Sequence, residues 1–411
     1  MSEPVGPLPY RSKRSADDVV AVRTEGSGAA YSAMIEIADR CNEACLHCYQ
    51  VQGEKGELDT AEWRRVLDEL VALGVLFLTI SGGEPTLRKD FLELVAYARQ
   101  LRFAVKIYSN ALNIDAALAR ELGRLAVQEV QISLYSHEAR EHDAVTRVPG
   151  SYERVLAATR ALRAEGVRVL LKTPLMGSNT TGLSEYIALA QSLDAEYAFD
   201  VHLNPREDGD FGPRRFAIDR ETFLRVRRDS RLRGPGAPPR ALGDRPCGAC
   251  GSNVHVEANG ELRPCTQWSV PTGDLRREPV SKAWRHDDKA LAIRELTWQS
   301  LPGCRVCDLR DHCQRCFADA RHEVGNALLP YPMACRSARW QYELSHGVEP
   351  RIDGAALSDA VDVGPYRSSG EHRFERREYE LDALDRARLE RHAWLAAPEP
   401  ASPLVQLRRG R

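Results

Sequence analysis

Short apolar runs bounded by turn residues recur along the first half of the chain, and segments with helical apolar spacing separate them. Six runs predict β-strands, at residues 31–37, 75–80, 104–109, 128–134, 167–173 and 196–202. Five segments predict helices, at residues 60–73, 89–101, 115–125, 151–164 and 182–193. Strands that alternate with helices indicate an α/β fold in which right-handed crossovers build a parallel sheet covered by helices. The pattern leaves open whether the sheet closes, opens partway or stays flat.

Changes in this pattern divide the chain into five parts. Residues 1–30 are rich in Gly, Pro, Ser and charge and predict a flexible arm, whereas residues 31–228 hold the strands and helices. Residues 229–246 are dense in Gly, Pro and Arg, which indicates a linker. Residues 247–345 carry eight cysteines and little periodic structure, as expected for a small domain stabilised by metals. Residues 346–411 form a polar tail.

One helix is predicted within that tail, at residues 378–394. Its apolar Leu381, Leu384 and Trp394 could dock on the body of the protein, while its charges form a solvated face. Residues 398–411 have the composition of a disordered segment.

Composition and charge narrow the functional classes. The chain has 411 residues, no apolar run of about 18 residues that predicts a membrane span, and no signal peptide, so a cytoplasmic protein without a membrane partner is expected. A net charge of −2 gives no general attraction for nucleic acid. In a reducing compartment the eleven cysteines are expected to be metal ligands or catalytic thiols instead of disulfides.

Three cysteines, Cys41, Cys45 and Cys48, lie within eight residues directly after the first predicted strand. Thiolates bind iron-sulfur clusters or zinc, and a 4Fe-4S cluster with only three protein ligands has one iron open to another molecule. A zinc knuckle or a disulfide loop is the alternative, although CxxC pairs dominate zinc sites. Ligands of α/β folds bind at the carboxyl ends of the strands, so these cysteines are expected at the mouth of an active site.

A second motif, Gly82-Gly83-Glu84-Pro85, follows the second predicted strand. The two glycines would let the backbone approach a ligand closely, and the carboxylate could hold an ammonium group. Taken alone, this sequence is also a common structural turn.

The CxxxCxxC spacing next to GGEP resembles the signature of radical S-adenosylmethionine (radical SAM) enzymes. The resemblance implies a partial (β/α)6 barrel in which the open iron chelates SAM and the GGEP motif binds the SAM amino group. Reductive cleavage of SAM would give methionine and a 5′-deoxyadenosyl radical that abstracts hydrogen from an unreactive C–H bond.

The same resemblance implies further SAM contacts. Ser109, Asn110 and Ser133 fall at strand ends where ribose or carboxylate contacts usually lie, and the alternative is that they are ordinary turn residues. His47 would contact adenine and would not bind metal. Arg147 would pair with the SAM carboxylate, or else lie exposed in its loop.

The eight remaining cysteines equal two sets of four. Their spacing, including Gly260 four residues before Cys265, resembles the SPASM domain, although two residues separate Cys313 from Cys316 where that family usually has three. The resemblance implies an inner auxiliary cluster held by Cys247, Cys250, Cys265 and Cys316, and an outer one held by Cys304, Cys307, Cys313 and Cys335. The protein would then hold three 4Fe-4S clusters. Two structural zinc sites fit the spacing equally well.

The resemblance narrows the substrate only to a class. SPASM relatives mostly modify peptides or proteins, and some act on tetrapyrroles. Sulfatase maturation is disfavoured, because Thr266 stands where the sulfatase-maturing enzymes carry an aspartate that acts as the catalytic base. About thirty residues before the first strand are too few for a leader-binding domain, so a leader peptide would need a separate binding protein, or the barrel and tail themselves. Polar residues at the end of the sixth strand, Asp200, His202, Asn204 and Arg206, could line the substrate side or could simply begin a solvated loop.

The expected function is therefore that of a radical SAM oxidoreductase that modifies a peptide or protein side chain by crosslinking or related C–H functionalisation. A reductant such as flavodoxin or ferredoxin would supply electrons. A tetrapyrrole or small-metabolite radical SAM enzyme is the alternative of the same fold. A non-catalytic metal-binding interaction protein is the alternative from another class.

Overall fold

The computed structural model describes residues 29–53, 56–232, 240–353 and 363–396. Several predicted features lie wholly or partly outside the described residues: the arm up to residue 28, residues 233–239 of the linker, and residues 354–362 and 397–411 of the tail.

The first half of the chain builds six parallel strands in sequence order, flanked by helices. The strands are β1 (Ser32–Ala38), β2 (Phe77–Gly82), β3 (Ala104–Ser109), β4 (Glu129–Ser133), β5 (Val169–Pro174) and β6 (Glu196–Asp200). The helices are α1 (Thr60–Leu73), α2 (Phe91–Gln100), α3 (Ala116–Arg124), α4 (Ala139–Thr146), α5 (Ser151–Ala164), α6 (Leu183–Ser192) and α7 (Arg220–Arg228). Among the described residues β6 stays an edge strand, so the sheet is open.

Local sequence explains where these helices begin and end. The Asp59 side chain accepts a hydrogen bond from the Glu62 amide at 2.8 Å, and the Glu62 carboxylate accepts one from the Asp59 amide at 2.8 Å, which forms a capping box before α1. Gly74 ends the same helix in the left-handed conformation. The predicted strands and helices are confirmed to within two or three residues, but α4 and α7 were not predicted.

Alternation along the strands separates an apolar face from a polar one. Ile35, Leu78 and Ile107 pack in the hydrophobic core beneath the helices. Side chains one position away point to the opposite face, where Glu36 and Lys106 are buried. The inner face of the sheet is therefore polar, as a surface that receives ligands requires.

The second half of the chain continues the same sheet. Strand β7 (Asn253–Val256) pairs in parallel with β1, and β8 (Glu261–Arg263) and β9 (Gly273–Asp274) add antiparallel strands, which gives nine strands in all. The expectation of little periodic structure here was wrong, because four helices follow: α8 (Val280–His286), α9 (Asp288–Arg294), α10 (Phe317–Val324) and α11 (Pro332–His346).

The described part of the tail packs on the cysteine-rich half. It forms a small sheet of β10 (Arg351–Ile352), β11 (Tyr366–Gly370) and β12 (Arg373–Arg376), followed by α12 (Ala383–Arg391). This helix is shorter than predicted because Asp382 caps it. Trp394 docks against Trp268, with 6.3 Å between ring centroids, but Leu384 is 52% exposed. Among the described helices, none combines the length and apolar character needed to cross a bilayer.

Candidate functional site

The loop that carries Cys41, Cys45 and Cys48 starts where β1 ends, and the Gly82-Gly83 pair holds that start in place. The Gly83 amide donates to the Ala38 carbonyl at 2.7 Å, and the Glu84 amide donates to the Arg40 carbonyl at 2.8 Å. A Cβ on Gly82 would lie 2.4 Å from the Ala38 oxygen, and one on Gly83 would lie 2.3 Å from the Arg40 oxygen. Because glycine has no Cβ, the Gly82-Gly83 segment can approach the backbone of residues 38–40 this closely.

Glu84 connects the ends of β2 and β3. Its fully buried carboxylate accepts hydrogen bonds from Ser109 Oγ at 2.8 Å and the Asn110 amide at 2.7 Å, and from the amide and hydroxyl of Thr86. Burial raises the pKa of Glu84, and these hydrogen bonds oppose the rise. The carboxylate is therefore fixed in orientation.

Asn110 extends this arrangement to the cysteine loop. Its side-chain amide donates to Asn42 Oδ1 at 2.6 Å and lies 3.7 Å from Cys41 Sγ. Glu84, Ser109, Asn110 and the first cysteine, which lie far apart in sequence, thus form one cluster at the carboxyl edge of the sheet. Pro85 begins a short 3-10 helix directly behind it.

Cys45 and His47 lie beside Tyr135, a residue that sequence reasoning missed. Cys45 Sγ is 3.7 Å from Tyr135 Oη and donates to Glu43 Oε2 at 3.1 Å. The His47 ring meets Tyr135 edge-on at 4.8 Å, and its buried Nδ1 has no hydrogen-bond partner among the described residues. Burial raises the pKa of Tyr135, and Ser133 opposes the rise. The position of Tyr135 directly after a predicted strand end was the available signal.

The unpredicted helix α4 explains the position of Tyr135. The Tyr135 amide donates to His142 Nδ1 at 3.1 Å, and the two rings stack with 5.4 Å between centroids. The sequence therefore builds a buried aromatic surface next to the cysteine loop.

The three thiols suit an iron-sulfur cluster chemically. Burial raises the pKa of Cys41 to about 12, and that of Cys45 well above its usual value, so the buried thiolates require a cationic partner. Soft sulfur donors are the ligands that iron-sulfur clusters prefer.

A cavity of about 360 Å³ opens beside Cys45 and Cys48. The residues that line it include Arg147, Arg206 and Arg215, with Asp210 as an acidic residue. Arg147 is exposed and sits in a left-handed turn at the end of α4. Guanidinium groups in this number favour ligands with carboxylates.

His202 was also predicted to line the substrate side, but in the structure it pairs with an acidic residue of the cysteine-rich half. Its Nε2 lies 2.9 Å from the buried carboxylate of Asp319 on α10, and Arg214 lies 2.9 Å from the same carboxylate. This network joins the end of β6 to the cysteine-rich half.

A buried charged cluster lies where β1 meets β7. Glu36, His255 and Glu257 bring ligand-type atoms within 4.8 Å of one another. Arg263 Nη1 lies 3.2 Å from Glu257 Oε1, and Gln50, two residues after Cys48, donates to Glu36 at 2.9 Å. The guanidinium of Arg263 supplies positive charge here, and the cluster joins the two halves of the molecule.

The structure brings together the outer set of cysteines. Cys304, Cys307, Cys313 and Cys335 line a single cavity, which Tyr366 of the tail also borders. Burial raises the pKa of Cys335 to about 12 and that of Cys307 to about 11. Main-chain hydrogen bonds from Gly364 to Cys335 and from Tyr366 to Cys307 oppose these rises. The tail thus contacts two thiols of the outer set.

The four cysteines of the inner set lie in or against one hydrophobic cluster. Burial raises the pKa of Cys265 to about 12, and repulsion from Cys247 and Cys250 adds to the rise. Burial also raises the pKa of Cys316, with repulsion from Cys247 and Cys265. Four soft donors in each of two groups fit iron-sulfur clusters or zinc.

Comparison with protein families identifies the class. The model of the Radical SAM superfamily matches residues 35–191, and the model of SPASM, an iron-sulfur cluster-binding domain, matches residues 247–308. The chain therefore belongs to the radical SAM superfamily and carries a C-terminal SPASM domain. Membership points to 4Fe-4S clusters and SAM binding.

Individual relatives have two kinds of activity in their names. The chain is 25% identical to the AdoMet-dependent heme synthase of Methanosarcina barkeri over 330 residues, which cover 72% of this chain and 94% of the relative. It is 27% identical to the PqqA peptide cyclase of Gluconobacter oxydans over 341 residues, 77% and 94% of the two chains. Mycofactocin maturase MftC of Mycobacterium tuberculosis is 36% identical over 163 residues, 39% and 41% of the two chains.

Solved structures support the fold. Streptococcus suis SuiB bound to its precursor peptide SuiA superposes with a TM-score of 0.60 at 15% identity, over 74% of this chain and 76% of SuiB. The anSMEcpe structure with bound AdoMet gives a TM-score of 0.58 at 15% identity, over 77% and 97% of the two chains. The architecture is therefore that of a radical SAM protein.

Proposed function

We propose that this protein is a radical SAM enzyme that oxidatively modifies a peptide or protein side chain. The observation that carries the proposal is the position of the cysteine loop at the carboxyl edge of the parallel sheet, where Cys41 lies beside Asn110, which is hydrogen-bonded to Glu84. In this proposal Cys41, Cys45 and Cys48 hold a 4Fe-4S cluster with one open iron. When bound, the cluster and SAM supply a 5′-deoxyadenosyl radical that abstracts hydrogen.

The surrounding side chains would orient SAM. Glu84, fixed by Ser109, Asn110 and Thr86, would accept the SAM ammonium group, because a preoriented carboxylate loses little freedom on binding. Gly82, Gly83 and Pro85 would fix the position of that carboxylate relative to the cysteine loop.

The remaining predicted contacts would hold the nucleoside and carboxylate ends of SAM. His47, with Tyr135 behind it, would contact adenine, and Ser133 would lie on the ribose side. Arg147 would pair with the SAM carboxylate from the wall of the arginine-lined cavity.

The other eight cysteines would hold two further 4Fe-4S clusters in the inner and outer sets. Because all four ligands come from the protein, these clusters would pass electrons or shape the site, and would not bind substrate. We infer that they accept the electron left on the substrate or feed reduction of the first cluster. If a Cys265→Ala variant cleaved SAM and turned over substrate at the unmodified rate, this role would be excluded.

A peptide is the favoured substrate because the named relatives include the PqqA peptide cyclase over 77% of the chain. The arginines of the cavity would suit acidic side chains of such a peptide. The proposed partners are a cytoplasmic reductant of the flavodoxin or ferredoxin type and, for a leader-bearing precursor, a separate binding protein.

A tetrapyrrole substrate is the second candidate. The likeness to AdoMet-dependent heme synthase extends over 94% of that relative, and tetrapyrrole carboxylates would also suit the cavity arginines.

Anaerobic reconstitution of the full chain tests these proposals. The enzyme should hold about twelve iron atoms per chain and form 5′-deoxyadenosine when reduced with SAM. Deuterium should move into 5′-deoxyadenosine from a labelled peptide; transfer only from a labelled tetrapyrrole would favour the second candidate. Bound zinc with no SAM cleavage would contradict both and support a non-catalytic protein.

A further inference from the structure

Arg315 occupies the two-residue spacer between Cys313 and Cys316, the place where this chain departs from the usual SPASM spacing. Its side chain is 4% exposed, and its Nη1 lies 3.4 Å from Cys304 Sγ. In sequence, this cation therefore lies between Cys313 of the outer set and Cys316 of the inner set.

The guanidinium is fixed by its surroundings. Its Nη2 donates to the Ala327 carbonyl at 2.5 Å and to the Leu329 carbonyl at 2.7 Å. The aromatic rings of Phe317 and Tyr331 lie 5.8 and 5.6 Å from the guanidinium carbon. Tyr331 in turn accepts a hydrogen bond from the Cys316 amide at 2.8 Å. These contacts hold the charge in position from both sides.

The partners of Arg315 do not neutralise its charge. They are neutral carbonyls, aromatic rings and a thiol, and within the described part of the chain its Nε has no hydrogen-bond partner. A buried cation normally requires a negative partner, and the thiolates are the groups in reach.

The charge reaches both sets of cysteines. In the outer set, Arg315 Nη1 contacts Cys304 Sγ directly. On the inner side, the guanidinium lies over the ring of Tyr331, whose hydroxyl accepts the hydrogen bond from the Cys316 amide. The inner set has additional cations, because Arg294 donates to the Cys250 carbonyl at 2.7 Å and Arg245 donates to the Ala249 carbonyl. The outer set should therefore depend more strongly on Arg315.

We propose that Arg315 is a positioning residue whose fixed charge raises the reduction potentials of both auxiliary clusters, and that of the outer cluster most. A reduced cluster carries one more negative charge than an oxidised one, so a nearby cation stabilises the reduced form. The inference rests on the proposed function, since it requires the eight cysteines to hold clusters.

The test compares Arg315→Gln and Arg315→Lys in the reconstituted full chain with a control, Arg99→Gln. Arg99 of α2 also donates to main-chain carbonyls, those of Leu125 at 2.9 Å and Phe103, but it lies in the first half of the chain, away from the eight C-terminal cysteines. Midpoint potentials come from redox titrations followed by electron paramagnetic resonance, with iron content measured for every variant. Arg315→Gln should shift the outer cluster's potential downwards, and the inner cluster's by less, while Arg315→Lys and Arg99→Gln stay near the unmodified protein.

Equal potentials in Arg315→Gln and Arg99→Gln would overturn the assignment. Should Arg315→Gln fail to retain the outer cluster's iron, retention by Arg315→Lys would support the need for a charge, and loss in both would assign the residue to packing alone. An unmodified chain that holds zinc at these cysteines would instead overturn the proposed function.

Discussion

At the scale of single residues, Gly83 decides how closely the GGEP segment approaches the cysteine loop. A methyl group there would meet the Arg40 backbone at 2.3 Å, and backbone atoms cannot move aside as a flexible side chain can. The space between two loops that carry the site is therefore set by the absence of one side chain.

Gly83→Ala should destabilise the fold by about 3 kcal/mol and lower the iron content, because overpacking would separate the cysteine loop from Glu84. Thermal unfolding and iron analysis measure the two effects. Gly177→Ala is the control, since an added Cβ at Gly177 meets nothing within 4 Å. Equal stability and iron content in the two variants would contradict this account.

Glu84→Gln should weaken SAM binding by roughly tenfold or more, because an amide lacks the charge that attracts an ammonium group and mismatches the donors around it. Equilibrium SAM binding to the reconstituted protein measures the loss. Glu93→Gln, which alters an exposed carboxylate paired with Arg64, should bind SAM normally. Unchanged affinity in Glu84→Gln would exclude an ammonium-binding role.

Motif residues could be predicted from the sequence because strand ends share one edge of a parallel sheet. Glu84, Ser109 and Asn110 follow consecutive strands, so their convergence needs only the topology. Arg315 could not be predicted in the same way, since its position depends on packing between segments distant in sequence. Tyr135 also follows a strand end, but its contact with His142 depends on helix α4, which was not predicted.

At the scale of elements, the tail is part of the outer cysteine site. Strand β11 places Tyr366 on the wall of the cavity lined by the four outer cysteines, and Tyr366 is only 1% exposed. The sequence indicated a helix here but not this hairpin, because the hairpin is short, polar and paired through few residues.

Tyr366→Ala should cost about 3 kcal/mol of unfolding free energy and accelerate loss of iron in air, because it opens the wall of the outer site. Denaturant unfolding and the rate of absorbance bleaching measure these effects. Leu384→Ala, at an exposed position of the tail helix, should change neither. Bleaching of Tyr366→Ala at the unmodified rate would show that the tail does not protect the site.

The helix α4 and the strand β7 show why some elements were missed. Helix α4 has eight residues with few apolar side chains, so its periodic signal is weak. Strand β7 has only four residues and pairs with β1 across more than 200 positions. Local pattern cannot specify such pairing.

At the scale of the whole molecule, the two halves share one sheet and a buried charged cluster. Arg263 on β8 lies 3.2 Å from Glu257 and 3.4 Å from Glu207, and Glu36 of β1 lies 3.8 Å from His255 of β7. The cysteine-rich half is therefore fixed against the strand that leads to Cys41.

Arg263→Gln should lower the unfolding free energy by about 3 kcal/mol or more, because it leaves buried carboxylates without their cation. Denaturant unfolding measures the change. Arg276→Gln, which removes a more exposed pair with Glu62, should cost less than about 1 kcal/mol. Similar losses in the two variants would contradict a structural role for the buried cluster.

The central claim is that chemistry begins at Cys41, Cys45 and Cys48, while the other eight cysteines form two closed sets. Its most direct test is the iron content and 5′-deoxyadenosine yield of a variant with all three replaced by alanine, reconstituted anaerobically beside the unmodified chain. We expect the triple-alanine variant to retain about eight iron atoms per chain and to form no 5′-deoxyadenosine. SAM cleavage by this variant would contradict it.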